Sequence, residues 1–194
     1  MEMTDNIFYR PALPTAIALG TFDGVHLGHR AVISAAVELA RADKLMPAVF
    51  TFADLPRNSF LPEGERIPAL CSAEEKAGLI GKLGVELLIC PRFEHLRYMP
   101  AEEFIEDVLI GALKAKHIVC GYDHRFGAGG KGDAELLMRI CRGYGAGVTV
   151  VPPVLYSGRR ISSTDVRAAL AAGEVEKAEA MLGRSLSAKP RFDR

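Results

Sequence analysis

The chain has 194 residues, of which 49% are hydrophobic, enough to bury the core of one compact domain. Its 24 basic and 24 acidic side chains cancel, which excludes the long-range field that gathers nucleic acids or anionic membranes, so any anion site must be built locally. Residues 1–10 lack the apolar centre of a signal peptide and no run of about 18 apolar residues follows, so the expectation is a cytoplasmic chain with no nucleic-acid or membrane partner.

In chain order, Ala16-Ile-Ala-Leu19 is a short apolar run closed by Gly20. A turn rich in glycine and histidine follows, then a helical pattern with Ile33, Ala36, Val37 and Ala40 on one face. Residues 46–52 read as a strand, and 72–83 as a helix opened by Ser72 with Glu75 three residues on, the spacing of a capping box. Residues 87–90 give the next strand. A helix over 102–113 puts Phe104, Ile105, Val108 and Leu109 inward, and 117–121 is a strand ending on glycine. A helix over 134–144 and a strand over 148–151 continue the alternation. After Pro152-Pro153 come helices over 164–171 and 175–182, then a polar tail.

Strands alternating with helices predict an α/β protein with a Rossmann-like parallel sheet, right-handed crossovers and helices on both faces. Two stretches break the rhythm: 53–70, rich in proline and charge, and 122–131, rich in glycine and charge. Both leave carboxyl ends of strands, where open α/β sheets bind ligands. The four cysteines, Cys71, Cys90, Cys120 and Cys141, form no C-x-x-C pair; Cys90 and Cys120 each end an apolar run and read as reduced, buried, small hydrophobes.

Three motifs carry chemistry. In Gly20-Thr-Phe-Asp-Gly-Val-His-Leu-Gly-His-Arg30, Gly20, Gly24 and Gly28 let backbone approach a ligand, and free N–H groups at the helix start favour an anion. His26 and His29, three apart, can face one point and donate to a phosphate that gains charge during in-line displacement. Taken alone, such a pair is a surface accident or half a metal site, for which Asp23 is the only local third ligand. In Ile161-Ser-Ser-Thr-Asp-Val-Arg167, Ser163 or Thr164 caps a helix and Asp165 complements its dipole, while Arg167 suits nucleotide phosphates. In 121–133, Phe126 offers a face to a planar ring, Asp123 can accept from a ring N–H, and Arg125 or Lys131 can meet a phosphate; a glycine-rich hairpin with ordinary surface charges is the plain alternative.

The first string resembles the G-x-F-D-x-x-H-x-G-H signature of the nucleotidylyltransferase superfamily. The second resembles the I-S-S-T-x-I-R element of bacterial FAD synthetases, and the third is similar to their G-x-D-F-R-F-G-x-x-R-x-G-D loop. Phe50-Thr-Phe-Ala-Asp-Leu-Pro56 resembles their F-T-F-x-P-H-P, with Pro56 and Phe60 in place. The resemblance, from about 16 to 184, implies one FAD synthetase-like domain over 1–186 with a small flap insertion at about 122–160, and a tail over 187–194. It implies ATP and FMN as substrates, with Mg²⁺ held mainly by their phosphates, so no metal ligands are expected in the protein. His26, His29 and Arg167 would be catalytic. Gly20, Thr21, Phe22, Asp23, Gly24, Gly28, Ser162, Ser163 and Thr164 would bind ATP; Pro56, Phe60, Asp123, Arg125 and Phe126 would bind flavin. The riboflavin kinase element G-x-P-T-A-N does not occur in the sequence, so a kinase domain is expected to be absent. Three positions depart from the family on the acceptor side: Asp54 for proline, Leu55 for histidine and His124 for phenylalanine. They leave two alternatives open: adenylyl transfer to another phosphate ester, and a flavin- or nucleotide-binding protein of weak activity.

Overall fold

A computed structural model describes residues 1–186; the tail expected over 187–194 lies outside the described residues. The apolar run around Ala16-Ile-Ala-Leu19 becomes β2 (Thr15–Leu19), buried at every position as a central parallel strand must be. It pairs with β3 (Met46–Phe50) on one side and β5 (Ala115–Gly121) on the other. With β4 (Leu87–Ile89), β6 (Gly147–Val151) and β1 (Glu2–Thr4) this makes a six-stranded sheet, ordered β1-β4-β3-β2-β5-β6 and parallel throughout. Strand β1 was not expected. Its Glu-Met-Thr sequence carries no strand pattern, and it exists because its backbone extends the ladder of β4, Glu2 opposite Leu87 and Thr4 opposite Ile89.

Alternate strand residues feed two cores. Ala18, Val49, Leu88 and Val119 pack under α1 (Leu27–Asp43) and α2 (Ala73–Gly81). Ile17, Leu19, Phe50, Ile89 and Ile118 face the opposite layer, which includes α4 (Ala134–Gly143). Helices therefore cover both faces, as the alternation required. The capping box of α2 is formed: Ser72 Oγ accepts the Glu75 N–H at 3.0 Å and the Glu75 carboxylate accepts the Ser72 N–H at 2.8 Å. The helix expected over 102–113 differs in kind. One α-turn, α3 (Ala101–Glu103), opens it, and a π-helix runs over Phe104–Ala112, with the Leu113 N–H bonding five residues back to Val108 O at 2.9 Å. The wider turn seats Phe104, Ile105, Val108, Leu109 and Ala112 against the sheet together.

Residues 134–151 form α4, which buries Leu137 and Cys141, and β6, which pairs with β5 from His117 opposite Gly147 to Gly121 opposite Val151. The segments 122–132 and 152–160 flank α4 and β6 on either side. The second carries a hairpin, β7 (Leu155–Tyr156) with β8 (Arg159–Arg160), whose turn residues Ser157 and Gly158 both take positive φ, 50° and 76°. Beyond it, α5 (Ser163–Ala171) and α6 (Val175–Leu182) bury a small cluster of their own around Val166, Ala169, Ala178 and Met181.

Candidate active site

From β2 the chain builds outward in one direction to β3 and β4, then returns to add β5 and β6 on the other side of β2. At such a reversal the loops after neighbouring strands diverge and leave a crevice. Here it is a cleft of about 680 Å³, walled by the loops after β2, β3 and β5 and by 152–163.

The loop after β2 is tightly wound, with Phe22, Gly24 and Val25 all at positive φ (48°, 77° and 42°). Only glycine fits at position 24, where a Cβ would lie 2.8 Å from Leu70. This winding makes His26 the N-cap of α1, its Nδ1 accepting the His29 N–H at 3.2 Å. With Nδ1 occupied as acceptor, the neutral His26 ring carries its proton on Nε2. The two imidazoles stack, centroids 3.5 Å apart and planes 16° from parallel, and the edge of Phe22 closes on His29 at 5.4 Å. Burial pulls His26 down to about 4 against the opposing pull of Asp23, Asp123 and Asp165. His29 falls well below the usual range through burial first, then the charges of His26 and Lys76. At neutral pH the cleft therefore presents two uncharged imidazoles, and His29 Nδ1 has no hydrogen-bond partner among the described residues.

Of the residues singled out in the sequence, Gly20, Thr21, Phe22, His26, Gly28, His29, Ser162 and Ser163 line this cleft together with Pro56, Phe60, Asp123, Arg125 and Phe126. Asp23, Gly24, Thr164 and Arg167 do not. Arg167 turns its guanidinium to the buried Asp23 carboxylate, which also accepts the Leu70 N–H at 2.8 Å, while the Asp23 carbonyl accepts the Ser163 hydroxyl at 2.9 Å. Opposite charges of low exposure pair, and Asp23 thereby ties the histidine loop to α5 and to the 62–70 segment. The cap of α5 is Ser162 rather than Ser163 or Thr164: its Oγ accepts the Asp165 N–H at 3.2 Å and donates to the Asp165 carboxylate at 2.5 Å. At the cleft rim Arg125 pairs with Asp133 at 3.1 Å and Arg160 with Asp123 at 3.4 Å.

Much of the cleft lining is aromatic. Phe50 meets Phe104 at 5.1 Å, Phe104 meets Phe126 at 5.8 Å, Phe52 meets Phe93 at 5.4 Å, and Phe93 meets Phe60 at 5.7 Å. Sequence reasoning missed Phe52, Phe93 and Phe104. Phe52 and Phe93 follow the ends of β3 and β4, so the strand-end rule could have found both; Phe104 comes from the π-helix, and no local signal marks it. It also missed Arg160, which lines the cleft from β8 and donates to Tyr122 Oη at 2.7 Å. The departures resolve separately. Asp54 accepts the Phe93 N–H at 2.9 Å and so braces the aromatic wall, and Leu55 opens the short 3₁₀ turn Pro56–Phe60. His124 stacks on Phe126 at 5.6 Å; burial brings its imidazole to about 4, and Nε2 has no partner among the described residues. No group of three or more His, Cys, Asp or Glu among the described residues could hold a metal, so the donor set does not form a protein-built cation cage. All four cysteines are unpaired; Cys120 and Cys141 are buried, which pushes both thiols up to about 11, and none lines the cleft.

Comparison with known proteins gives this geometry a family. The chain is 36% identical over 180 residues to the bifunctional riboflavin kinase/FMN adenylyltransferase of Escherichia coli (strain K12), a match covering 92% of this chain and 57% of that protein. The chain thus spans a little over half the length of the curated relatives it matches. Among solved structures it is similar to a macrolide-efflux protein from Streptococcus pneumoniae, with a TM-score of 0.83 and 31% identity over 94% of this chain and 60% of that one. No helix among the described residues here is long and apolar enough to cross a membrane. Pantothenate synthetase from Thermus thermophilus shares the fold, with a TM-score of 0.50 and 16% identity over 94% of this chain and 82% of that one. The sequence profile of FAD synthetase matches residues 10–165, and the chain belongs to that family.

Proposed function

We propose that this chain is an FMN adenylyltransferase, converting ATP and FMN to FAD and pyrophosphate in the cytoplasm. A phosphate oxygen of FMN attacks the α-phosphorus of ATP as its bond to the α,β-bridging oxygen breaks and pyrophosphate leaves, so no covalent enzyme intermediate is required. The observation that carries the reading is one cleft holding two neutral stacked imidazoles at a helix N-terminus and, beside them, a wall of phenylalanines. A tricyclic ring fits the second and a triphosphate the first.

Within that reading, the His26 Nε2–H and the His29 ring donate to the phosphate oxygens as charge develops on them, and their neutrality avoids trapping the product anion. The free N–H groups at the start of α1 add partial positive charge. Arg125 and Arg160 already stand on the cleft wall, whereas Arg167 must exchange Asp23 for phosphate to take part. Ser162 and Ser163 hold α5 at the edge of the donor half through the bonds described above. Asp123, Arg125 and Phe126 contact the flavin with Pro56 and Phe60, and Mg²⁺ arrives on the triphosphate as part of the substrate. The domain comprises residues 1–186, with its flap at about 122–160.

Adenylyl transfer to another phosphate ester is the second reading, favoured by the unpartnered His124 Nε2 in the wall where the family carries phenylalanine. The test is pyrophosphate release from MgATP with FMN, riboflavin or no acceptor, with the product identified by mass. FAD formed only with FMN is the expected result. Pyrophosphate without FAD points to the second reading, and no turnover with any acceptor refutes adenylyl transfer.

A further inference from the structure

Lys76, on α2, is the one lysine buried among the described residues, 4% exposed. Among those residues no carboxylate pairs with it. Its Nζ meets carbonyl oxygens instead, Phe52 O at 2.6 Å and Thr21 O at 3.3 Å, and these lie just past the carboxyl ends of β3 and β2. An ammonium buried against carbonyls alone is costly to keep, so the position calls for an account beyond packing.

The account lies in the Thr21 carbonyl. It accepts a second hydrogen bond, from the buried Thr51 hydroxyl at 2.9 Å, so two donors hold it from beneath the loop. Because a trans peptide points its C=O and N–H in opposite directions, clamping that carbonyl on the inner side turns the Phe22 N–H outward. Among the described residues no protein group accepts this N–H, and Thr21 and Phe22 both line the cleft. The left-handed Phe22, φ 48°, is the hinge at which an unclamped peptide would flip.

We propose that Lys76 is a positioning residue for the transfer step: together with Thr51 it fixes the Thr21–Phe22 peptide so that the Phe22 N–H faces the anionic donor, and it polarises that amide through the carbonyl it holds. This rests on the nucleotide reading of the cleft. Lys76 touches no substrate. Its charge also opposes protonation of His29, whose ring meets the charges of His26 and Lys76, while Asp23, Asp123 and Asp165 act on His26.

The test follows the Phe22 amide by ¹⁵N chemical shift during MgATP titration, alongside steady-state FAD formation, in the wild type and in Lys76→Met, Lys76→Arg and Thr51→Val. In the wild type the Phe22 resonance moves on MgATP binding. In folded Lys76→Met that response is lost, kcat falls roughly 10–100-fold with the KM for FMN unchanged, and the His29 ring titrates at higher pH than in the wild type. Lys76→Arg restores part of the response, and Thr51→Val lowers kcat in the same direction by less. A folded Lys76→Met with an unchanged Phe22 response and kcat within about twofold of wild type overturns the proposal. Should Lys76→Met fail to fold, an unaltered Phe22 response and kcat in Thr51→Val overturn it equally. A wild type that makes no FAD, yet whose Phe22 response to MgATP depends on Lys76, refutes the FMN reading and leaves the role of Lys76 standing.

Discussion

Asp23→Asn removes one charge from the contact that joins the histidine loop to α5. The side chains of Asp23 and Arg167 are 5% and 19% exposed, so the guanidinium left behind is largely out of water with no counter-charge. Breaking a buried pair from one side costs about 3–5 kcal/mol, and the partial exposure of Arg167 places this case at the lower end, about 3 kcal/mol. Asparagine keeps an oxygen for the Leu70 N–H, and the backbone bond from Ser163 is untouched, so little else is added. For a chain of this size about 3 kcal/mol lowers Tm by roughly 6–12 °C. Thermal unfolding of Asp23→Asn, Arg167→Met and the double variant measures the pair directly. The double variant, having lost both charges, should recover much of the loss and give a coupling of about 2 kcal/mol. A Tm within about 2 °C of wild type for Asp23→Asn, or a coupling under about 0.5 kcal/mol, would show that the pair does not hold the loop to α5.

Three further outcomes are expected. His29→Ala should retain its unfolding transition and lower kcat by on the order of 10²–10³, the usual consequence of losing one transition-state donor; stopped or continuous FAD assays decide it, and an undiminished kcat removes His29 from the mechanism. Acid should destabilise the fold through its buried imidazoles: a histidine held at about 4 when folded and near 6.5 when unfolded contributes stability fully present above 6.5 and lost as pH falls toward 4, up to about 3 kcal/mol for His26. Tm measured from about pH 7.5 to about pH 4.5 should fall less steeply in His26→Gln than in the wild type, and parallel slopes would contradict the burial argument. His124→Phe removes a buried nitrogen that has no partner and keeps the ring against Phe126, so it should raise stability by roughly 1 kcal/mol in urea unfolding; a destabilised variant would mean that Nε2 is satisfied in solution.

The sequence alone was sufficient for the α/β class, the parallel sheet with helices on both faces, the chain order of its central strands and helices, and the Ser72–Glu75 capping box. These depend on short-range causes: apolar periodicity separates strand from helix, and ligand loops sit at strand ends because the backbone leaves the sheet there. Tertiary structure decided everything that turns on a partner distant in sequence. Strand β1 forms only on the edge of β4, and Phe104 reaches the cleft only through a π-helix pressed on the sheet. Arg167 faces Asp23, 144 residues away, rather than the cleft. Lys76 looks like one more helix charge until β2 and β3 are brought over it, when its amine is buried under the histidine loop. Side-chain direction is set by whichever charge or dipole the fold delivers at close range, and a linear pattern holds no record of that.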